Sequence, residues 1–264
     1  VILPWRYWFV LLILGTGFVN AQETVLDEWL DLDLNQLMAI RVTTATKSDR
    51  SLNDVPATVR IISADQIRER GYNSLEDVLQ DLPGFQFRNI QGFNAYTFMR
   101  GAPSQNNLVL VLIDGIQINE LSSGGFYGGY QYNLHNVKQI EVVYGPSSAL
   151  YGTNAISGII NIITKDVPAP AGGTIDVTAG NWGTLFGDGE YGFTSATGEI
   201  GGQIAVHYKR TTKAALGGAA GDDNWSDRME NFENDLGCDA RFSYRNFCLG
   251  LTMQDKQAAR TTNY

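Results

Sequence analysis

The stretch IEVVYGPSSALYGTNAISGIINIITK, Ile140 to Lys165, decides how the rest of the chain is read. Ile140 to Tyr144 has the composition of a strand, and Gly145-Pro146 stops it because proline has no N–H to give to a ladder. Ser147 stands where it would cap a short helical turn, and Gly152 where that turn would end with positive φ. Ile159 to Thr164 is a second strand, nearly all β-branched, which predicts burial on both faces. Taken alone this is a strand–turn–strand unit of an α+β domain, with nothing chemically reactive in it.

Upstream, the same domain continues to Val55. Ala57 to Ile62 reads as a strand, and Ser63 with Gln66 forms a capping box that opens a helix ending at Gly71. Asn73 with Glu76 starts a second helix, in which Leu75, Val78, Leu79 and Leu82 recur at helical spacing and therefore face the core. Pro83-Gly84 ends it. Phe85 to Arg88 and Thr97 to Arg100 are further strands, and Leu108 to Ile113 is a central one closed by an Asp114-Gly115 turn. Two long glycine-rich and aromatic connections, Asn89 to Tyr96 and Ile116 to Asn136, interrupt the pattern. Loops of that length are functional or disordered. The stiff amphipathic rings of Tyr127, Tyr130 and Tyr132 suit ligand capture, with a flexible surface loop as the alternative.

The strings IISADQI, LEDVLQDLPG, RG, VLIDG, IEVVYGPSSALYG and IINIITK closely resemble, in that order, the plug domain of TonB-dependent outer-membrane receptors, over roughly Val42 to Lys165. The resemblance implies an importer of a scarce nutrient (a ferric siderophore, cobalamin or an oligosaccharide) by energy-coupled displacement of the plug. Apical loops of such a plug face outward and touch ligand, which here implies Phe93, Tyr96, Phe126, Tyr127, Tyr130 and Tyr132 around one outward cavity. An extended segment near the mature N-terminus is captured in the family by a TonB-type periplasmic energy-coupling protein through strand addition. Ile40, Arg41, Val42, Thr43, Thr44, Ala45 and Thr46 resemble that segment, and also read as an ordinary linker. Arg100, in the family's Arg-Gly position, and Glu141, in its Ile-Glu-Val position, are expected to be buried or half-buried and paired, helping to retain the plug. Glu233, Asp235 and Asp239 are candidate partners for Arg100, as is a carboxylate within the plug.

Composition agrees with this reading. The 264 residues carry a net charge of −9, which argues against nucleic acid and anionic membrane surfaces as partners. Only 18% of residues are charged while 29 are glycine, a balance that suits strands and turns. Two cysteines, Cys238 and Cys248, are too few for a disulfide framework or a zinc site, and His135 and His207 show no ligand spacing, so no metal or other cofactor is expected. No nucleophile elbow, phosphate loop or metal cluster suggests an enzyme. Arg6, the apolar run Tyr7 to Val19 and Val19-Asn20-Ala21 read as a cleaved signal peptide over residues 1–21, which implies export and, with the family, the outer membrane. Residues 22–47 form an acidic amphipathic segment that includes the coupling string, and residues 48–167 the plug.

After the Pro/Gly linker Asp166 to Gly173 the chain alternates with period two to its end, the expected start of a β-barrel over residues 168–264. Ile175, Val177 and Ala179, then Ile200, Ile204, Val206 and Tyr208, then Phe232, Leu236, Cys238, Ala240, Phe242 and Tyr244, then Phe247, Leu249, Leu251 and Met253 form the apolar face. The opposite face is charged enough to suit a water-filled lumen with lipid outside. Tyr191, Phe193, Tyr244 and Phe247 flank short turns, where an aromatic girdle would lie. A two-residue turn at Arg245-Asn246 places Cys238 on the lipid face and Cys248 on the lumen face, out of disulfide reach. The fold class is therefore an α+β plug with a small mixed sheet, followed by about five antiparallel strands of a transmembrane barrel. Five strands do not close a barrel that holds a plug, so the chain reads as the N-terminal part of a receptor more than twice as long. A passive outer-membrane adhesin or structural barrel that kept its plug is the alternative function.

Overall fold

A computed structural model describes residues 41, 42, 44, 50, 51, 57–89, 95–104, 108–121, 123–152, 154–167, 171–212 and 232–258. The expected signal peptide and nearly all of the amphipathic segment lie outside these residues.

The first strands, β1 (Arg41–Val42) and β2 (Arg50–Ser51), pair antiparallel. Then come β3 (Thr58–Ser63), helices α1 (Ala64–Glu69) and α2 (Leu75–Gln80), and β4 (Phe85–Asn89), β5 (Ala95–Met99) and β6 (Ala102–Pro103), which form their own three-stranded sheet. Next are β7 (Val109–Ile113), β8 (Ile116–Gln117), a 3-10 turn at Leu134–Asn136, β9 (Val137–Tyr144), the helical turn α3 (Ser148–Tyr151) and β10 (Gly158–Thr164). The central sheet runs β3-β9-β10-β7-β8, with β10 parallel to β7 and antiparallel to β9, so it is mixed. β9 and β10 are the two arms of the stretch quoted at the outset, and they lie side by side at the middle of the plug.

Why these residues fold this way is visible locally. Ser63 and Gln66 complete the expected capping box of α1, each bonding the other's backbone N–H at 3.2 and 3.1 Å. α2 starts one residue later than expected: Ser74 is its cap and Asp77 its partner. The Asp77 carboxylate accepts the N–H of both Asn73 and Ser74, which the longer arm of Glu76 does not do. Ser147 precedes α3 without a side-chain cap bond, its N–H donating instead to Ala155 O. Asp114 and Gly115 both take positive φ, 48° and 81°, as a tight turn from β7 into β8 demands.

The sheet buries both faces. On one, α1 and α2 cover Ile62, Val111, Ile140, Val142, Ile160 and Ile162. Leu75, Val78 and Leu79 sit there at 1% exposure or less, each stabilising by about 1.5–3 kcal/mol. The other face is smaller: Val59, Leu110, Leu112, Val143 and Ile159, with Ala155 and Tyr151 against them. Gly158 leaves no room for a side chain, since a Cβ would stand 2.4 Å from both Met99 Cε and Val143 O. Gly158→Ala is therefore expected to lower plug stability by about 1–3 kcal/mol. The urea midpoint of the full-length protein checks this.

The second half is a single antiparallel wall: β11 (Gly172–Ala179), β12 (Leu185–Thr194), β13 (Ile200–Thr211), β14 (Glu233–Tyr244) and β15 (Phe247–Ala258), in sequence order. The register has the expected parity. Tyr244 opposes Phe247 and Ser243 opposes Cys248 across Arg245-Asn246, and both cysteines are free. On β13, Ile204, Val206 and Tyr208 face outward at 46%, 40% and 41% exposure, whereas Ala205, His207 and Lys209 are buried against the plug. Tyr191, Phe193, Phe242, Tyr244 and Phe247 gather outward at the short-turn end. The order β11 to β15 leaves two edges, so the described wall is open.

Candidate functional site: the plug against the strand wall

Among the described residues, no single cleft gathers the expected ones. The polar chemistry lies where plug and wall meet, and it begins with the glycine-rich loop. Asn119, 5% exposed, anchors that loop by accepting the N–H of Val111 and donating to Val109 O and Gly124 O. Its side chain extends the edge of β7 where β8 has ended. Further on, Gly128 lies against α2, where its carbonyl accepts the Glu76 N–H at 2.6 Å. At Gly129 a Cβ would stand 2.6 Å from Glu233 Oε1 and 2.8 Å from Lys256 Nζ. The ends of the wall's charged side chains thus lie directly against the backbone at Gly129.

This corrects the expected outward cavity. Phe126 and Tyr132 are 3% and 4% exposed and belong to the main hydrophobic core of the plug. Tyr127 and Tyr130 are half-buried, and the Tyr130 ring packs on Phe186 of β12 with centroids 5.0 Å apart. Large rings in a glycine-rich loop were better placed inside, where each removes more apolar area from water than any exposed contact would. Phe93 lies outside the described residues, and Tyr96 contributes backbone to β5 opposite Arg88.

Around this loop the wall carries a buried charge cluster. Lys209, 3% exposed, donates to Asn73 O at 3.0 Å, beside the capped end of α2. Lys256 pairs with Glu233, lies 3.5 Å from Asp235, and donates to Gln131 Oε1 at 3.1 Å. Glu233 also accepts the Tyr130 N–H at 3.3 Å. The alternation of β13 to β15 showed these side chains facing inward; their loop partners have no signature in the sequence.

Burial, with the carboxylates of Asp77 and Glu233 close by, pushes the Tyr130 hydroxyl up to about 12, and burial raises Tyr132 too. A phenol that stays protonated in the fold while the unfolded chain ionises makes stability fall as pH rises. The contribution is intact below about pH 10 and is lost between there and about pH 12, at up to about 1.4 kcal/mol per pH unit for each tyrosine. Tyr132→Phe is expected to flatten that alkaline slope in a urea-midpoint series.

Lower on the wall a second group of contacts ties the plug in place. Arg241 Nη2 donates to Asp114 Oδ2 and to Thr164 Oγ1 at 2.5 and 2.6 Å, and Gln203 donates to Asn136 Oδ1 at 3.0 Å. Lys165 pairs with Glu190 at 2.8 Å, and His135 stands 3.0 Å from Asp176.

The two residues expected to retain the plug behave differently from each other. Glu141 is fully buried, but it faces the smaller core, away from the wall's acids. Its Oε2 accepts the Thr44 N–H at 2.8 Å, while Asn161 Nδ2 donates to Thr44 Oγ1 at 2.9 Å and Tyr151 OH to Thr44 O at 2.8 Å. The paired strands β9 and β10 and the helical turn between them thus hold one buried threonine of the expected coupling segment. Arg41 and Val42 lie in β1; Ile40, Thr43, Ala45 and Thr46 fall outside the described residues. Arg100 does not form the buried pair expected of it. It is exposed in a left-handed turn, φ 51°, with its guanidinium over the Tyr144 ring at 4.9 Å. Among the described residues Glu233 and Asp235 are matched by Lys256 instead, and Asp239 takes a hydrogen bond from Thr252.

Comparisons with known proteins fit this architecture. Residues 51–159 match the family described as TonB-dependent Receptor Plug Domain. The chain is 35% identical over 172 residues to the vitamin B12 transporter BtuB of Vibrio vulnificus, covering 64% of this chain and 26% of that protein. It is 31% identical over 198 residues to BtuB of Photobacterium profundum, covering 74% and 30%. It thus spans between a quarter and a third of the length of these relatives. Among solved structures, the pyoverdine outer membrane receptor FpvA of Pseudomonas aeruginosa superposes with a TM-score of 0.65 at 17% identity, covering 85% of this chain and 31% of that one. The siderophore receptor PiuA of Acinetobacter baumannii gives 0.60 at 20% identity, covering 82% and 28%. At these identities the likeness is one of fold.

Proposed function

We propose, for a chain that belongs to the TonB-dependent receptors and carries their plug followed by the first wall strands, that the whole protein sits in the outer membrane and imports a scarce organic nutrient. Import is driven by pulling on the plug's N-terminal segment, so it needs no catalytic residue. One observation carries the coupling: Thr44, in that segment, is hydrogen-bonded to Glu141, Asn161 and Tyr151, so tension applied there reaches the central sheet. The partner is a TonB-type energy-coupling protein, which would add a strand to residues 40–46 through backbone hydrogen bonds. Cobalamin is the first ligand to test because the two curated relatives at 35% and 31% identity are named vitamin B12 transporters. With Phe126 and Tyr132 in the core, Phe93, Tyr96, Tyr127 and Tyr130 remain the plug's candidate ligand contacts.

The test is cyanocobalamin accumulation by cells making the full-length receptor, with and without a protonophore. Accumulation is expected to collapse with the proton gradient while binding at the cell surface persists. Surface binding with no gradient-dependent uptake would instead support a passive barrel that kept its plug.

A further inference from the structure

The outward face of the wall is apolar up to one cross-strand row and turns polar there. Near the short turns the register sets Ile200, Tyr244 and Phe247 side by side. At the long-loop end it sets Leu185, Arg210, Asn234 and Gln257 side by side across β12 to β15. Between the two rows β13 turns Gly202, Ile204, Val206 and Tyr208 outward. From Ile200 to Arg210 the strand climbs about 33 Å along its own axis. At a tilt of about 35–45° that is about 25 Å along the membrane normal, the height of a barrel's apolar band. The row of Arg210 therefore stands where lipid tails give way to headgroups, on the long-loop side that faces outward in such barrels.

This row holds a cation and two carboxamides. Arg210 is exposed, and among the described residues no carboxylate pairs with it. Asp255, the outward carboxylate of β15, opposes Leu236, one step nearer the short turns and with β14 between it and Arg210. Beside Arg210, the turn from β11 to β12 carries Trp182, 57% exposed on a left-handed backbone, φ 60°. A bulky residue keeps that conformation only where its surroundings impose it. Here Thr212, two residues beyond Arg210, donates both its N–H and its hydroxyl to the Trp182 carbonyl.

We propose that Arg210, Asn234, Gln257 and Trp182 form a binding site for the phosphorylated sugar headgroup of a lipid in the outer leaflet. The inference rests on the outer-membrane reading above. A guanidinium offers a phosphate two parallel N–H bonds, and the carboxamides add N–H donors for its other oxygens and for sugar hydroxyls. The indole, fixed at the same height, gives the sugar ring an apolar face to stack on.

The test is equilibrium binding of fluorescent lipid A, a diphosphorylated disaccharide lipid, to the full-length receptor purified in a neutral detergent. The same lipid without its phosphates should bind about tenfold more weakly, and phosphatidylglycerol, a phosphate without the sugar, about fivefold more weakly. Arg210→Gln should cost about tenfold in lipid A affinity, and Trp182→Gly about threefold. Arg210→Lys, the second variant at that position, should recover only part of the loss, because an ammonium is a point charge. Arg245→Gln, which changes the exposed cation at the opposite, short-turn end, should bind like the parent. Heat-modifiable migration certifies that each variant has folded, and excess inorganic phosphate should leave the lipid bound. Equal binding of the phosphate-free lipid or of phosphatidylglycerol, parental affinity in folded Arg210→Gln, an equal loss in Arg245→Gln, or displacement by inorganic phosphate overturns the site. Recovery of the receptor away from the outer membrane on density-gradient fractionation of cells strikes the outer-membrane reading instead, and leaves the purified-protein result to stand.

Discussion

Receptors lacking residues 40–46 are expected to bind ligand at the cell surface as tightly as the intact protein and to import none of it. The two activities use opposite parts of the plug. Thr44 docks beneath β9 and β10 on the smaller hydrophobic face, through Glu141, Asn161 and Tyr151. The glycine-rich loop and the start of α2 meet the wall at its long-loop end, through Lys209, Lys256 and Glu233. Removing the segment leaves Glu141 and Asn161 facing water that enters where Thr44 had been, so the plug stays folded at a cost of about 1–3 kcal/mol. Loss of the segment is expected to remove uptake, because the proposed mechanism applies its pull there. Cyanocobalamin accumulation and cold surface binding, measured on the same cells, separate the two effects, and accumulation at the parental rate would refute the coupling role of this segment.

The second large effect is expected at Lys256. Glu233 and Asp235 are each 1% exposed and lie on either side of its ammonium, so Lys256→Ala leaves two carboxylates buried without their cation. Removing one partner of such a pair costs about 3–5 kcal/mol. The loss should appear as a lower urea midpoint for plug unfolding in the full-length receptor and as cells newly sensitive to a large hydrophilic antibiotic that a seated plug excludes. Lys256→Met combined with Glu233→Gln and Asp235→Asn should recover part of the midpoint, because these three positions then bury no charge and Lys209 keeps its bond to Asn73 O. If Lys256→Ala alone matched the parent in both assays, the cluster would be irrelevant to seating.

The parts of the fold that were legible in the sequence are those written in periodicity and turn chemistry. Leu75, Val78 and Leu79 announced a buried helix face, Asp114-Gly115 a tight turn, and the alternation through Ile204, Val206 and Tyr208 an outward-facing wall. Ser74 was missed by one position because Asn73 with Glu76 satisfies the same spacing rule, and only the reach of Asp77 separates them. The site was less legible. Aromatic rings among glycines suit a binding loop and a core insertion equally, and the Asn119 side chain that fastens this loop to β7, with Phe126 and Tyr132 in the core beyond it, follows no periodicity or turn rule. The partner of Arg100 was misread for a related reason: which carboxylate a cation meets depends on strand order, and Lys256 already occupied the acids of β14.

The place of β3 in the central sheet has a mechanical consequence. Of the central sheet's strands it follows the N-terminal segment first, and among the described residues β9 is its one neighbour in the ladder. A load arriving from the N-terminal side meets the release of Thr44 first and then the peeling of β3, whose six residue pairs with β9, Thr58↔Tyr144 to Ser63↔Gln139, can give way in sequence. β10 is bonded on both flanks, to β9 and to β7, and would have to shear many bonds at once. Under the proposed mechanism, force would be directed to a sacrificial edge, while β9, β10 and β7 would remain as the template on which that edge zips back when the tension is released.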